Sequence, residues 1–431
     1  MDFISIKKAM KQGSGDVAIR GWCYRARGSS KLRFIILRDS TDIIQCVVEK
    51  EKVSEQSWTG AEKTDIEASA EVIGEIVPDA RAPTGFEIKV KDFNLIGQSV
   101  GWPIQKDQST ELLADLKHLW LRSRYMTSIL KIRSTVFGAI NEYFRKEGFY
   151  EFQSPIFQAT QAEGGSTLFP VAYFGKTVYL AQTWQLYAEP AIFSLEKIYC
   201  IAPSFRAEKS KTSRHLTEYW HAEMEVAWAN FEDIQNHGEA LIKHVVRKVL
   251  TCNKEELRLL NRDTKILETV ANAPFYRMTY SDALRVLNEK CSIEIEWGKD
   301  LRTIEEDELS KLYNNFIIVT HYPKLVKAFY MKEDDANADV VHGCDFIAPE
   351  CYGEVIGGSE RESDLDKLKA RLIEMGENPE HYNFYLDTRR YGSVPHAGFG
   401  MGVERLIAWI CKLENIKDAI PFPRTMIRTT P

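Results

Sequence analysis

The run Ser204-Phe205-Arg206-Ala207-Glu208, continued to Trp228 as KSKTSRHLTEYWHAEMEVAW, decides the reading of this chain. Arg206 and Glu208 stand two residues apart at the end of an apolar stretch, so on a strand they point to one face. A basic, hydroxyl-rich loop follows. Strand-like alternation then resumes through Tyr219, His221, Glu223 and Glu225. Two strands joined by a basic loop can hold a polyphosphate between them. A second signal stands far downstream, where Gly398-Phe399-Gly400-Met401-Gly402-Val403-Glu404-Arg405 runs into the apolar helical stretch LIAWICKL. Glycines lack a Cβ and let backbone approach a ligand closely.

Outward from this centre the period changes. Ile129, Ile132, Val136, Ile140 and Phe144 recur at helical spacing, which predicts an amphipathic helix stopped at Gly148. FYEFQSPIF then predicts a strand ending near Pro155. KTVYLAQ, KIYCIAP, EYWHAEMEVAW, NFIIVTHYP, CDFIAP and GEVIGG predict further strands. NFEDIQNHGEALIKHVVRKVL and DLDKLKARLIEMGENP predict helices. Strands and helices do not alternate regularly, so the expected class is α+β, an antiparallel sheet flanked by helices, and not a doubly wound parallel sheet. Residues 16–97 differ. They hold five short alternating or apolar runs separated by turn residues, which suits a five-stranded OB-fold barrel. The expected organisation is a barrel over 1–98, a linker or hinge over 99–122, and a catalytic domain over 123–431.

The chain has 431 residues, 44% hydrophobic and 27% charged, with a formal net charge of −6. A nucleic-acid packaging protein would be basic, so any RNA contact must come from local patches. Eight cysteines are scattered with no CxxC pair, which suits reduced, mostly buried thiols. No apolar run reaches the ~20 residues that span a membrane. The N-terminal MDFISIKKAM has no apolar signal core. The expected location is cytoplasmic, with no membrane partner.

In this order and at this distance, the two signals resemble motifs 2 and 3 of the class II aminoacyl-tRNA synthetases. The helix, strand and Pro155 resemble motif 1, a dimer-interface element there, and the resemblance covers essentially the whole chain. It implies ATP and Mg²⁺ as cofactors, a tRNA partner and a homodimer. It implies that Arg206 contacts the α-phosphate and the amino-acid carboxylate, and that Glu208 approaches the adenine amino group. Arg214 and His215 would approach the β- and γ-phosphates. Tyr219 would stack on adenine, where the family usually has Phe. Arg405 would lie over the γ-phosphate, with Gly402, Gly400 and Gly398 giving room for the nucleotide. Asp345 and Glu354 bracket DFIAPECYGE and resemble the acidic metal-site strands of the Asp/Asn/Lys subgroup, class IIb. Two hard carboxylates suit Mg²⁺, which keeps several waters.

The stretch Gln182 to Glu189, QTWQLYAE, resembles one that reads QSPQLYKQ in aspartyl enzymes, with Ala188 in place of a lysine that holds the substrate carboxylate. Arg361 matches the arginine that aspartyl and asparaginyl enzymes place on the side-chain oxygen. Glu223 stands where aspartyl enzymes carry Asp and asparaginyl enzymes Glu. Glu163 and Gln185 match residues that bind and orient the α-amino group. The chemistry agrees, because an amide offers an oxygen acceptor to Arg361 and an NH₂ donor to Glu223. Aspartate would place a second anion beside Glu223. The resemblance is thus to the asparaginyl branch, archaeal type, and implies L-asparagine and tRNA(Asn) as partners. In the barrel, Phe34 matches an aromatic that stacks on the central anticodon base, and Gln45 a residue hydrogen-bonding it. Arg25, Arg27, Lys31 and Arg33 would supply the basic patch. Three alternatives remain at this point: an aspartyl enzyme, discriminating or not; an asparagine-synthesising paralogue, expected to lack the barrel; and a non-catalytic RNA-binding protein, which the set Arg206, Glu208, Glu354 and Arg405 opposes.

Overall fold

Five short strands with a shared apolar interior build the first of two units, Met1–Leu113; the second is Ala114–Pro431. The computed structural model describes residues 1–159, 168–209 and 214–431. In the first unit β1 (Gly15–Gly28), β2 (Leu32–Arg38), β3 (Ile43–Glu49), β4 (Ser69–Pro78) and β5 (Phe86–Gly97) close a barrel in the order β1-β2-β3-β5-β4. Closure leaves no sheet edge to pair with another chain. Ile19, Cys23, Ile35, Leu37, Cys46, Val72, Ile88 and Phe93 fill it. Burial, with Asp65 and Glu67 nearby, pushes the Cys23 thiol up to about 12, so it stays protonated. Two helices were not expected, α1 (Ile6–Gln12) and α2 (Glu55–Lys63). Ser5 and Ser54 cap them by accepting from Lys8 N and Ser57 N, and a serine before a short amphipathic run is the signal that marks such a start.

The divide between the units falls inside α3 (Thr110–Asp115), which α4 (Lys117–Trp120) follows. The expected amphipathic helix is α5 (Arg124–Lys146), capped by Ser123, with Ile129, Ile132, Val136, Ile140 and Phe144 buried. FYEFQSPIF is not one strand. β6 (Tyr150–Glu151) joins the main sheet and β7 (Phe157–Gln158) a small one. Pro155 between them has no N–H to continue a ladder. The small sheet has the order β7-β9-β8, with β8 (Pro170–Tyr173) and β9 (Lys176–Leu180), so KTVYLAQ is a strand outside the main sheet.

Among the described residues the main sheet has eight strands in the order β12-β13-β14-β15-β16-β11-β10-β6. They are β10 (Lys197–Phe205), β11 (Glu218–Ala227), β12 (Tyr276–Thr279), β13 (Ile317–Pro323), β14 (Val340–Ala348), β15 (Gly353–Glu360) and β16 (His396–Gly402), besides β6. Pairing is antiparallel except for β12 with β13 and β10 with β6. The remaining helices are α6 (Gln185–Leu195), α7 (Phe231–Cys252), α8 (Lys254–Leu259), α9 (Lys265–Asn272), α10 (Tyr280–Cys291), α11 (Thr303–Lys311), α12 (Leu365–Glu374), α13 (Asn383–Arg390) and α14 (Val403–Cys411). Asn230 and Asp233 form a capping box at the start of α7. α5, α7 and α14 pack against the sheet in one apolar cluster that includes Phe144, Met224, Val245, Phe346, Phe399 and Trp409. All eight cysteines are unpaired, five of them buried. Among the described residues no helix is long and apolar enough to cross a membrane.

Candidate active site

Alternation along β11 sends Tyr219, His221, Glu223 and Glu225 to one face of the sheet, and β16 lies beside it with His221 opposite Gly402, Glu223 opposite Gly400 and Glu225 opposite Gly398. A Cβ at Gly398 would collide with the Glu225 carboxyl, and one at Gly400 with the His221 ring. These two glycines therefore make room for side chains of the neighbouring strand; Gly400 also borders the cavity that Gly402 faces, so the expectation of space for a nucleotide is corrected for Gly398 alone. At Gly402 an added Cβ would come no closer than 3.6 Å to anything, and the residue faces a cavity.

That cavity, of about 370 Å³, is lined by Arg206, Glu208, Arg214, His215, Tyr219, Glu354, Gly402 and Arg405. Every residue expected to hold ATP thus meets in one place. Arg206 leaves the end of β10 with its guanidinium 5.9 Å from the Tyr219 ring centroid and 4.0 Å from Glu208. His215 Nε2 lies 3.4 Å from Glu208. Burial lowers the His215 pKa; Glu208 opposes this, while Arg405, Arg206 and Arg214 add to it. Arg405 extends from the first turn of α14, and its Nη1 donates to the Glu354 carbonyl at 2.7 Å. Arg214 departs from expectation. Its Nη2 donates to both Asp307 oxygens, at 2.8 and 2.9 Å, and to the Cys351 carbonyl, so here it faces acceptors of the protein itself.

A second cavity of about 400 Å³ shares Arg206, His221, Glu354 and Gly400 with the first and adds Gln185, Glu223, Asp345 and Arg361. Asp345 on β14 and Glu354 on β15 converge over Gly357. A Cβ there would lie 2.8 Å from Glu354 Oε1 and 3.6 Å from Asp345 Oδ1. Glu306 of α11 joins them and accepts from Glu354 N at 3.4 Å. Burial and the neighbouring Asp345 raise the Glu354 pKa, and burial and Glu354 push Glu306 up to about 7. Three crowded carboxylates call for a cation, and an all-oxygen donor set fits Mg²⁺. Lys327 supplies part of that charge, with Nζ 2.7 Å from Asp345 Oδ2. Sequence reasoning missed Glu306 and Lys327, because neither sits in a recognisable run.

Glu223 is buried in the wall of this second cavity. It accepts from the Thr183 hydroxyl and, at 3.0 Å, from Trp184 N, and His221 lies 3.4 Å away. Burial alone would raise its pKa, but the nearby His221 and the hydrogen bonds from Thr183 and Trp184 outweigh that and hold it below the usual carboxylate value. An ionised acceptor results. Gln185 Nε2 donates to Glu189 at 2.9 Å. Arg361 is not a free cation. Its guanidinium grips Glu225, its Nη1 donates to Ser359 at 2.7 Å, and Glu189 lies 4.0 Å from its Nε. Glu189 in turn takes Arg389 at 2.6 Å, His396 at 3.0 Å and Tyr385 at 2.7 Å. This buried network fixes the Arg361 guanidinium in place. Glu189 and Glu225 both stood in quoted runs, but nothing in the sequence marked them as its partners. Ala188 packs among Trp184, Ile192, Ile198 and Cys200 and does not line the cavity. The charge expected to be missing there is therefore absent from an apolar contact. Glu163 lies outside the described residues.

On the barrel, Ile35 and Leu37 point into the core, so Phe34 faces outward, half-buried, with Arg27 5.4 Å from its ring centroid. Phe34 pairs with Arg27 and Val47, and Ile36 with Arg25 and Gln45, which puts Phe34 and Gln45 on the same face of adjacent strands. Gln45 Nε2 donates to Glu87 at 3.1 Å. Arg33 corrects the expected patch, since it turns away and donates to the Glu62 carbonyl at 3.4 Å. The expectation that this face meets an anticodon predicts that Phe34→Ala weakens tRNA charging while sparing amino-acid activation. Removing one stacking platform costs about 1–2 kcal/mol, roughly a 5- to 30-fold rise in KM for tRNA. Equal losses in both assays would reduce Phe34 to a structural residue.

Residues 109–426 match the family described as tRNA synthetases class II (D, K and N), and residues 17–96 match the OB-fold nucleic acid binding domain. The chain belongs to the class II tRNA synthetases of the D, K and N group. It is 46% identical over 415 residues to the asparagine–tRNA ligase of Thermoplasma acidophilum, covering 96% of each chain. Its structure matches that of asparaginyl-tRNA synthetase from Pyrococcus horikoshii complexed with asparaginyl-adenylate, with a TM-score of 0.96 at 42% identity over 100% of both chains. It also matches the Entamoeba histolytica asparaginyl-tRNA synthetase in complex with asparaginyl-adenylate, with a TM-score of 0.90 at 31% identity over 100% and 99% of the chains. Within the group the chain is a member of the asparagine–tRNA ligase family.

Proposed function

We propose that the protein joins L-asparagine to tRNA(Asn) in two ATP-dependent steps. The observation that carries this is the junction of the two cavities at Arg206 and Glu354, with the ionised Glu223 in the wall of one and Arg405 in the wall of the other. ATP lies in the first cavity with adenine against Tyr219 and its amino group near Glu208. Asparagine lies in the second, its amide oxygen toward Arg361 and its NH₂ toward Glu223. Arg206, at the junction, holds the substrate carboxylate beside the α-phosphate. The carboxylate oxygen bonds to the α-phosphorus, the bond to the β-phosphate oxygen breaks, and pyrophosphate leaves past Arg405, His215 and Arg214. The Asp307 contact of Arg214 then exchanges for phosphate. Positioning and charge compensation of this kind account for most of the catalysis in such transfers. Glu354 and Asp345, with Glu306 beside them, would hold Mg²⁺, which supplies positive charge at phosphate oxygens. In the second step the terminal tRNA hydroxyl attacks the adenylate carbonyl, AMP leaves, and an adenylate phosphate oxygen takes the proton.

The barrel face of Phe34, Gln45, Arg25 and Arg27 receives the anticodon, and two copies associate through the region of α5 and β6, where Tyr150 is 60% exposed. Cytoplasmic action follows from this role. The aspartyl reading is disfavoured by Glu223, whose lowered pKa keeps a negative charge where aspartate would bring another. Charging of tRNA(Asn) and tRNA(Asp) transcripts with labelled asparagine and aspartate tests the assignment. Asparagine on tRNA(Asn) is the expected product. Charging of tRNA(Asp) with aspartate as the main product would overturn it.

A further inference from the structure

A separate cluster lies where β13, β14 and the segment joining them meet. The pairing of β13 with β14 is interrupted by an irregularity between Thr320 and Tyr322, and His321 within it has φ of 56°, a backbone region that non-glycine residues seldom adopt. His321 sits near His342 on β14, with ring centroids 5.6 Å apart. Asp334, from the connecting segment, reaches both. Its Oδ2 is 3.0 Å from His342 Nε2 and 3.8 Å from His321 Nε2. One ligand atom from each of the three residues falls within 4.8 Å of the others. Zinc bound tetrahedrally at ~2.0–2.1 Å sets its ligand atoms about 3.3 Å apart, between the two shorter separations seen here.

The hydrogen bonds around the cluster settle which ring nitrogen is available. Glu360 accepts from Lys332 at 2.7 Å and lies 2.9 Å from His342 Nδ1. A carboxylate accepts only, so His342 Nδ1 carries a hydrogen. Thr320 donates its hydroxyl hydrogen to the Met278 carbonyl at 3.3 Å, which leaves its oxygen to accept from His321 Nδ1 at 2.9 Å. Both rings are therefore held through Nδ1 and present Nε2 toward Asp334, the outer-shell arrangement by which proteins orient histidine ligands. A lone pair on His342 Nε2 and the Asp334 carboxylate cannot face each other at 3.0 Å without a cation between them. In the free protein that cation is a proton.

We propose that His321, His342 and Asp334 form a binding site for a divalent transition-metal ion, Zn²⁺ by its donor set, with a fourth position open to water. The two nitrogen donors distinguish it from the all-oxygen site of Asp345, Glu354 and Glu306. The three side chains are 35%, 15% and 20% exposed in the order His321, His342, Asp334, so an ion can enter. Binding displaces the proton shared by His342 and Asp334. The connecting segment also carries Lys327, Tyr330 and Met331, which wall the amino-acid cavity, so the ion would fasten that wall to two strands.

The test is titration of the full-length, chelator-treated protein with Co²⁺ and Zn²⁺ in excess Mg²⁺. One equivalent should bind per chain, Co²⁺ should give the intense visible absorption of a four-coordinate nitrogen–oxygen site, and Zn²⁺ should raise the unfolding midpoint. His321→Ala and the near-isosteric Asp334→Asn should each weaken binding by more than about 100-fold, since even loss of an outer-shell partner costs 10- to 100-fold. Asp345→Asn should leave the Co²⁺ spectrum unchanged. Absence of saturable binding to the wild type overturns the proposal. So does binding that survives in folded His321→Ala and Asp334→Asn proteins, or that Asp345→Asn abolishes.

Discussion

Arg405→Ala is expected to lower asparagine-dependent ATP–pyrophosphate exchange by about 10²–10³-fold, the usual loss when one preorganised charge contact to a transition state is removed. Arg405 stands in the first turn of α14, directly after the open Gly402, and lines the nucleotide cavity. Pyrophosphate gains charge as it leaves, and cations aimed at it act more strongly in the transition state than in the ground state. The substitution also removes the bond from Nη1 to the Glu354 carbonyl, 2.7 Å long. A hydrogen bond from a charged donor contributes about 1.5–3 kcal/mol, less than the stability of a typical folded domain. Thermal denaturation alongside the exchange assay separates the two effects. Wild-type exchange by a folded variant would remove Arg405 from the site.

Glu223→Gln is expected to change selectivity. The charge is lost while volume is kept. In the wild type the carboxylate accepts from Thr183 and Trp184 N, and a glutamine oxygen can serve only some of those donors. Its NH₂ would face the NH₂ of asparagine, leaving a buried donor unpaired. That costs ~1–3 kcal/mol, so kcat/KM for asparagine should fall roughly 5- to 150-fold. Aspartate should suffer less, because the anion that repels it is gone while Arg361 remains. The quantity to compare is the ratio of kcat/KM for asparagine to that for aspartate. A ratio unchanged from the wild type would place selectivity elsewhere in the cavity.

Much of the site was legible because its chemistry is carried by short runs on single strands. Arg206 and Glu208 sit at the end of β10, Tyr219 and Glu223 alternate along β11, and Arg405 opens α14, so local spacing already put each on a defined face. The barrel was legible for the same reason, since five short alternating or apolar runs separated by turn residues leave few other folds. What stayed hidden depends on contacts between distant segments. Lys327 meets Asp345 only because β13 and β14 pair, and Glu306 reaches Glu354 only because α11 packs against β15. The acidic partners of Arg361 lie on α6 and β11, and Arg389, which holds one of them, lies on α13, far apart in sequence. Gly398 was misread because the obstacle to a Cβ there is Glu225 on the neighbouring strand, which no local pattern shows. The strand expected to end near Pro155 stops already at Glu151, and Phe157–Gln158 beyond the proline pairs in a different sheet, a division that local alternation does not show.

The central claim is that the two cavities activate asparagine in particular. ATP–pyrophosphate exchange with each of the twenty amino acids, measured as kcat/KM on the full-length protein with Mg²⁺, tests it most directly. Asparagine should support exchange and aspartate should fall at least about 100-fold below it, because a site built to pair a specific polar group strongly rejects the analogue that lacks it. Exchange with aspartate equal to or above that with asparagine would contradict the account.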